Sequence, residues 1–460
     1  MKIDLELKPE HLVGKVDKLW SLSGEKIRSL ATDFKDSSGS PVVTVSGTYK
    51  PRSWTDWTQG FQFGSELLQF DATGDSYFLD LGLENIKTHM AAHISHFGVH
   101  DHGFNNLSTY GNLIRLLNQG KIPENSWLRE FCILALKMSA SVQAQRWTSL
   151  EKGGFIYSFN GPHSLFVDTI RTIRVLVAGH LLGHCSSGEN DIKINLLKRA
   201  YEHALATAAY SIYYGEGRDS YDVWGRTAHE AIFNINDGNF RSPSTQQGYS
   251  GFSTWTRGLS WAMLGFAEQL EFLQSQESSP ELEELGGKVH LEETFLKAAR
   301  ATCDFYIGNS ALDGIPYWDT GAPGLNHLSN WRKENSDPFN DFEPVDSSAA
   351  AIGAQGLLRL GNYLKKNNSS DADKYWSAGL SVANTLFDAP YISSNPDHQG
   401  LILHSIYHRP NGWDHIPENS KIPNGEACMW GDYHARELAL YLKKIIEGES
   451  YYTYFKDIAP

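Results

Sequence analysis

Apolar residues recur at helical spacing along nearly the whole chain. Leu12, Val13, Val16, Leu19 and Trp20 mark a first stripe, Phe78, Leu79, Leu81, Leu83 and Ile86 another, and Leu113, Ile114 and Leu117 a third. Continuing this reading predicts about a dozen helices, over roughly 9–34, 57–72, 75–95, 103–118, 123–145, 164–183, 189–214, 255–277, 291–309, 346–366, 369–388 and 431–447. They come in pairs joined by short polar turns such as DATGDS (71–76) and NQGKIPENS (118–126), where Gly, Pro and Asn break the helix. Strand signals are few, the best being GTYKPRSW (47–54) and LILHSIYHRP (401–410). Two long irregular stretches, 216–254 and 310–345, are rich in Gly, Asn, Asp, Ser and aromatics, and loops of that length are usually functional.

No Pro/Ser linker and no abrupt charge shift divides the chain, so residues 1–460 read as one domain. Twelve paired helices predict an all-α ring of six helical hairpins, an (α/α)6 barrel. An open solenoid is the alternative, but no short fixed period is visible. In such a ring the loops that start the helices cluster at one mouth.

Composition narrows the function. The chain carries 40 Lys plus Arg against 54 Asp plus Glu, a formal charge of −14, which is no footprint for nucleic acid. Without a run of eighteen apolar residues, nothing is expected to span a membrane. Cys132, Cys185, Cys303 and Cys428 form no CxxC pair, so four buried thiols in a reducing compartment are expected rather than a zinc site or disulfide framework. The N-terminal twenty residues lack the apolar stretch of a signal peptide, and a cytoplasmic location follows as an expectation. The surplus is aromatic, with 13 Trp, 21 Tyr and 22 Phe; such rings stack on sugars, although filling a large core is their commoner use.

The unusual residues fall at helix starts. Asp101 lies in GVHDHGFNN, and Asp168 lies among Leu165, Phe166, Val167 and Ile170. Capping of free backbone N–H groups accounts for Asp101 about as well as chemistry does, and less well for Asp168. A carboxyl group in surroundings as apolar as those of Asp168 pays desolvation, and a raised pKa makes it a proton donor at neutral pH. The run QQGYSGFSTWTRGLSWAM holds Gln247, Trp255, Arg257 and Trp261. Six residues carry a helix well past one full turn, so one of these two tryptophans is expected to line a cavity while the other packs. Arg257 has two readings, as partner of a substrate carboxylate or of an acidic side chain. His229 in RTAHEAIF reads by itself as a surface or core histidine, and Trp54 and Trp57 in WTDWTQGF as a stacking platform. No GxSxG elbow, HExxH pair or Gly-rich phosphate loop appears. Paired carboxylates with aromatic platforms are the equipment of a glycosidase.

Taken together, WTQGF (57–61), HDHGF (100–104), SLFVDT (164–169), STWTRGLSWAMLGF (253–266), VDSSAAAIGAQGLL (345–358) and MWGDYHARELAL (429–440) resemble the unsaturated glucuronyl hydrolases of glycoside hydrolase family 88. The unsaturated rhamnogalacturonyl hydrolases of family 105 are a close second. The resemblance runs from about residue 54 to 445 and implies a six-hairpin barrel whose substrate is an oligosaccharide ending in a 4,5-unsaturated uronic acid, released by a lyase. It implies removal of that sugar by hydration of the C4=C5 vinyl ether. Asp168 matches the general acid/base and Asp101 the second carboxylate. Trp57, His229, Gln247, Trp255 and Trp261 match substrate-contact positions, with His408 a further one. Phe159 stands where the family often has Trp, and the loop 216–228 looks longer than usual, which bears on the leaving sugar. No metal or other cofactor is implied, because a vinyl ether is already activated toward protonation. A hydrolase of saturated β-glucuronides and a non-catalytic sugar-binding protein on the same barrel are the competing expectations. With a net charge of −14, an anionic ligand requires a cleft that is locally neutral or basic.

Overall fold

The computed structural model describes residues 1–34, 39–52 and 56–459. Twelve helical segments build two concentric rings. The outer ring comprises α1 (Val13–Asp33), α3 (Ser76–His89), α5 (Ser126–Gln145), α7 (Leu196–Tyr210), α9 (Gly287–Asn309) and α11 (Ala372–Leu386). The inner ring comprises α2 (Gln59–Thr73), α4 (102–118), α6 (169–181), α8 (Thr256–Ser275), α10 (Ser347–Lys366) and α12 (Met429–Ile446). Each outer helix is followed in the chain by an inner one, and α12 packs back on α2, which closes the (α/α)6 barrel.

Sequence separates the two rings. Outer α3 is amphipathic and buries only Phe78, Gly82 and Ile86, whereas inner α8 is buried without a break from Thr256 to Leu273. Inner backbones approach closely where glycine leaves room. A Cβ on Gly103 of α4 falls 2.0 Å from the carbonyl oxygen of Thr172 in α6, and one on Gly60 of α2 falls 2.4 Å from the Asn105 Cα of α4. Gly103→Ala therefore presses a methyl group onto rigid backbone. We expect a loss of about 3 kcal/mol, read as a lower denaturation midpoint; an unchanged midpoint refutes the close approach.

All six inner helices start at one end of the barrel, as the hairpin arrangement requires. The opposite end is sealed. Arg171, Arg174 and Arg359 meet Glu268, Glu271 and Glu437 along the axis in fully buried ion pairs. Below them the C-terminal run 451–454 crosses the base. The Tyr452 carbonyl accepts from Arg359, Tyr451 Oη donates to Glu271, and Tyr454 Oη donates to Gln269.

Several expectations need correction. The stretch 164–183 is not one helix. It opens with strand Ser164–Phe166, which pairs antiparallel with Glu230–Phe233, itself paired with Phe240–Ser244. The long irregular stretch 216–254 thus carries two strands of a small sheet at the mouth, whereas 310–345 has only brief 3₁₀ turns. Residues 48–51 do form a hairpin strand, pairing with Pro41–Val45. The apolar alternation of 401–410 forms no continuous strand: Ile402 makes a single antiparallel bridge to Ile392, and side chains take several of the other backbone groups. Asp432 accepts from Leu401 and Ile402, and Asp346 from Ile406. Asp414 accepts from Tyr407 and His408, while Arg257 donates to the carbonyls of Ile406 and Tyr407. Cys132, Cys303 and Cys428 are buried, but Cys185 is exposed. Among the described residues no helix is long and apolar enough to cross a membrane.

Candidate active site

The mouth holds a cleft of about 420 Å³, within the range of small-molecule sites. Asp101, Asp168, Trp57, Phe159, Gln247, Trp255, Arg257, Trp261 and His408 all line it, as do His96, His100, Phe104, Phe166, Gln246, Tyr407 and Trp413. Trp54 lies outside the described residues.

Each carboxylate sits at the residue before an inner helix, yet neither side chain caps its helix. Both turn to His100 instead. Its Nε2 lies 3.4 Å from Asp168 Oδ1 and 3.8 Å from Asp101 Oδ1. Burial pushes Asp101 above the usual carboxylate range, and the Asp168 charge adds to this against His100 and Arg146. Burial pushes Asp168 the same way, but His100, His229 and Arg257 together outweigh it and hold Asp168 below its ordinary value. The raised pKa expected for Asp168 is thus overturned. Its apolar sequence neighbours face the core, while the carboxylate faces an imidazole.

His229 is buried on strand Glu230–Phe233's leading edge, between Phe166 and Trp255 at ring distances of 4.4 and 4.6 Å. Its Nδ1 accepts from the backbone N–H groups of Gln246 and Gln247 at 3.0 and 3.3 Å. That leaves the ring proton on Nε2, an N–H donor without a protein partner. Burial lowers its pKa to about 4, so it is a neutral donor rather than an acid.

Arg257 is fully occupied. It pairs with Asp346 at 3.2 Å, donates to the carbonyls of Ile406 and Tyr407, and donates to Gln247 Oε1 at 2.6 Å. Of its two readings the acidic partner is the one seen, and the guanidinium fixes the orientation of Gln247. Both Trp255 and Trp261 line the cleft, against the expectation of one. Trp255 precedes α8, so its direction is free of the helical repeat, while Trp261 projects from the second turn against Phe104 at 4.7 Å. Trp57 stacks on Trp430 at 5.0 Å, and His408 lies 4.7 Å from the Trp413 ring. Asp101 and Asp168 share the lining with Arg257, itself paired with Asp346, and with the imidazoles of His96, His100 and His408.

No family model matches the chain. It is 26% identical over 387 residues to the unsaturated glucuronyl hydrolase of Formosa agariphila, covering 83% of this chain and 78% of that protein. It is 25% identical over 420 residues to the unsaturated glucuronyl hydrolase of Bacillus sp. strain GL1, covering 89% and 92%. The crystal structure of a Bacillus sp. GL1 unsaturated glucuronyl hydrolase superposes with a TM-score of 0.69 at 21% identity, over 98% of this chain and 99% of that one. The chain is similar to unsaturated glucuronyl hydrolases in sequence and in fold. Against these hydrolases the alignment leaves little of the chain unmatched, in keeping with the nearly full-length run of motifs. His100 was not singled out by sequence reasoning, although it opens the HDHGF motif that did draw attention. Its pattern signal is that it precedes Asp101 at a helix start; its distance to Asp168 is visible only in three dimensions. Tyr407 and Trp413 were missed for a similar reason, since their loop is shaped by Arg257 and Asp414 rather than by any local repeat.

Proposed function

We propose that this protein removes the 4,5-unsaturated uronic acid from the non-reducing end of lyase-generated oligosaccharides by hydrating its C4=C5 vinyl ether. One observation carries the reading: two buried carboxylates meet at a single imidazole nitrogen on the wall of an aromatic cleft. Asp168 delivers a proton to C4. Positive charge then develops at C5 and the ring oxygen, where the carboxylate of Asp101 offsets it in a site shielded from water. Asp168, now ionised, takes a proton from the water that adds at C5. The resulting hemiketal opens and expels the rest of the chain. Trp57, Trp255 and Trp261 offer faces for the sugar rings and the amide of Gln247 a hydrogen bond, all from the lining, while His229 is buried beside Trp255, off the lining, with its Nε2–H unpartnered.

The unsaturated uronate absorbs in the near ultraviolet, which supplies the test. Mixing the protein with lyase digests of several polysaccharides is expected to erase that absorbance for at least one of them. Constant absorbance accompanied by cleavage of saturated β-glucuronides overturns the hydration reading.

A further inference from the structure

We propose that His100 holds the proton that Asp168 delivers, so that imidazole and carboxylate share one proton in the empty cleft and substrate arrival transfers it to Asp168. This rests on the hydration reading above and extends it. His100 acts through Asp168 and is a positioning residue in that sense.

The placement of charge is the argument. His100 is 2% exposed, with its ring stacked on Phe159 at 6.0 Å and edge-on to Phe166 at 5.5 Å. Neither ring nitrogen has a well-aligned hydrogen-bond partner in the protein, so what fixes its protonation is the surrounding charge. Asp101 and Asp168 face it from the starts of α4 and α6. Arg146 faces it from the end of α5, with its own N–H groups given to the carbonyls of Phe97, Tyr157 and Ser158. His229 approaches from the sheet and His203 from α7. Burial lowers those two imidazoles to about 4 and about 3, so they add no charge near neutrality. Arg257, which also acts on Asp168, has its charge matched by Asp346, so around His100 two carboxylates stand against the one guanidinium of Arg146, and a proton on His100 restores balance. Burial alone lowers the pKa of His100, but Asp101 and Asp168 outweigh it and set it above the ordinary histidine value.

The proton count closes. In the empty cleft the pair is imidazolium and carboxylate. Substrate expels water, which penalises two charges more than none and favours neutral imidazole with protonated Asp168. Asp168 passes this proton to C4, takes one from the attacking water, and returns it to His100. The pair ends as it began, with one water added to the substrate.

Two measurements test this. The imidazole of His100 in the ligand-free protein, followed by NMR on histidine-labelled chain and assigned by its loss in His100→Gln, is expected to titrate above the ordinary histidine pKa of about 6.5. Asp168→Asn removes one of its anions and is expected to lower that value by roughly one unit or more. Kinetically, the alkaline limb of kcat/KM reports loss of the shared proton from the free enzyme. In His100→Gln the carboxyl group holds that proton unaided, so the limb moves to lower pH, again by roughly one unit or more. A His100 that stays neutral below pH 6, or a His100→Gln profile scaled down without moving, overturns the proposal. If the glutamine variant fails to fold, the wild-type and Asp168→Asn titrations decide. Because they use no substrate, they remain informative if the wild-type protein does not consume unsaturated uronates, a result that sinks the hydration reading alone.

Discussion

Asp168→Asn is expected to lower kcat by about 10³-fold or more, while an unsaturated disaccharide still binds with nearly unchanged affinity. A positioned general acid contributes on the order of 10² to 10⁴ in rate, and here the same group also serves as the base toward water, so one substitution removes both steps. Asparagine keeps the shape and hydrogen-bonding reach of the side chain, and the aromatic walls of the cleft are untouched. Loss of near-ultraviolet absorbance measures the first quantity and calorimetric titration the second. A variant that retains wild-type turnover removes Asp168 from the reaction.

Arg257→Met is the second large effect, and it acts first on stability. Arg257 is 1% exposed and its guanidinium faces Asp346, two backbone carbonyls and Gln247. Methionine fills much of the volume but leaves a buried carboxylate without its partner, a change that costs about 3–5 kcal/mol. The segment 406–408 and Gln247 lose their anchor as well, so turnover falls together with the melting temperature. Pairing the substitution with Asp346→Asn removes the stranded charge but keeps an acceptor for Ser348 and Ile406, and is expected to restore part of the melting temperature, but not the turnover. Equal melting of the single variant and wild type contradicts the anchoring role.

The fold was legible because each hairpin writes its own periodicity. The twelve stripes of the sequence correspond to the twelve ring helices, with boundaries displaced most where Ser164–Phe166, the stretch 189–195 and the residues after His89 read as helix. The errors share a cause. The small sheet at the mouth is made of pieces three to five residues long, a short hairpin with Ser164–Phe166 added from far away in the chain, and 401–410 alternates like a strand while its backbone is held by Asp346, Asp414, Asp432 and Arg257. Nothing local announces such partners. The candidate site was readable to the extent that helix starts gather at one mouth, which brought Asp101, Asp168, Trp255 and Arg257 together. The direction of the Asp168 shift was not, since it depends on an imidazole 68 positions earlier in the chain.

The tyrosine run across the base has a bearing on how polymers are handled. With 451–454 and the axial arginine–glutamate pairs blocking the far end, the barrel is a blind socket. A glycan cannot thread through it, and a sugar released inside must back out by the way it came. On the hydration reading proposed above, such a vessel takes chain ends and leaves the interior of a glycan alone.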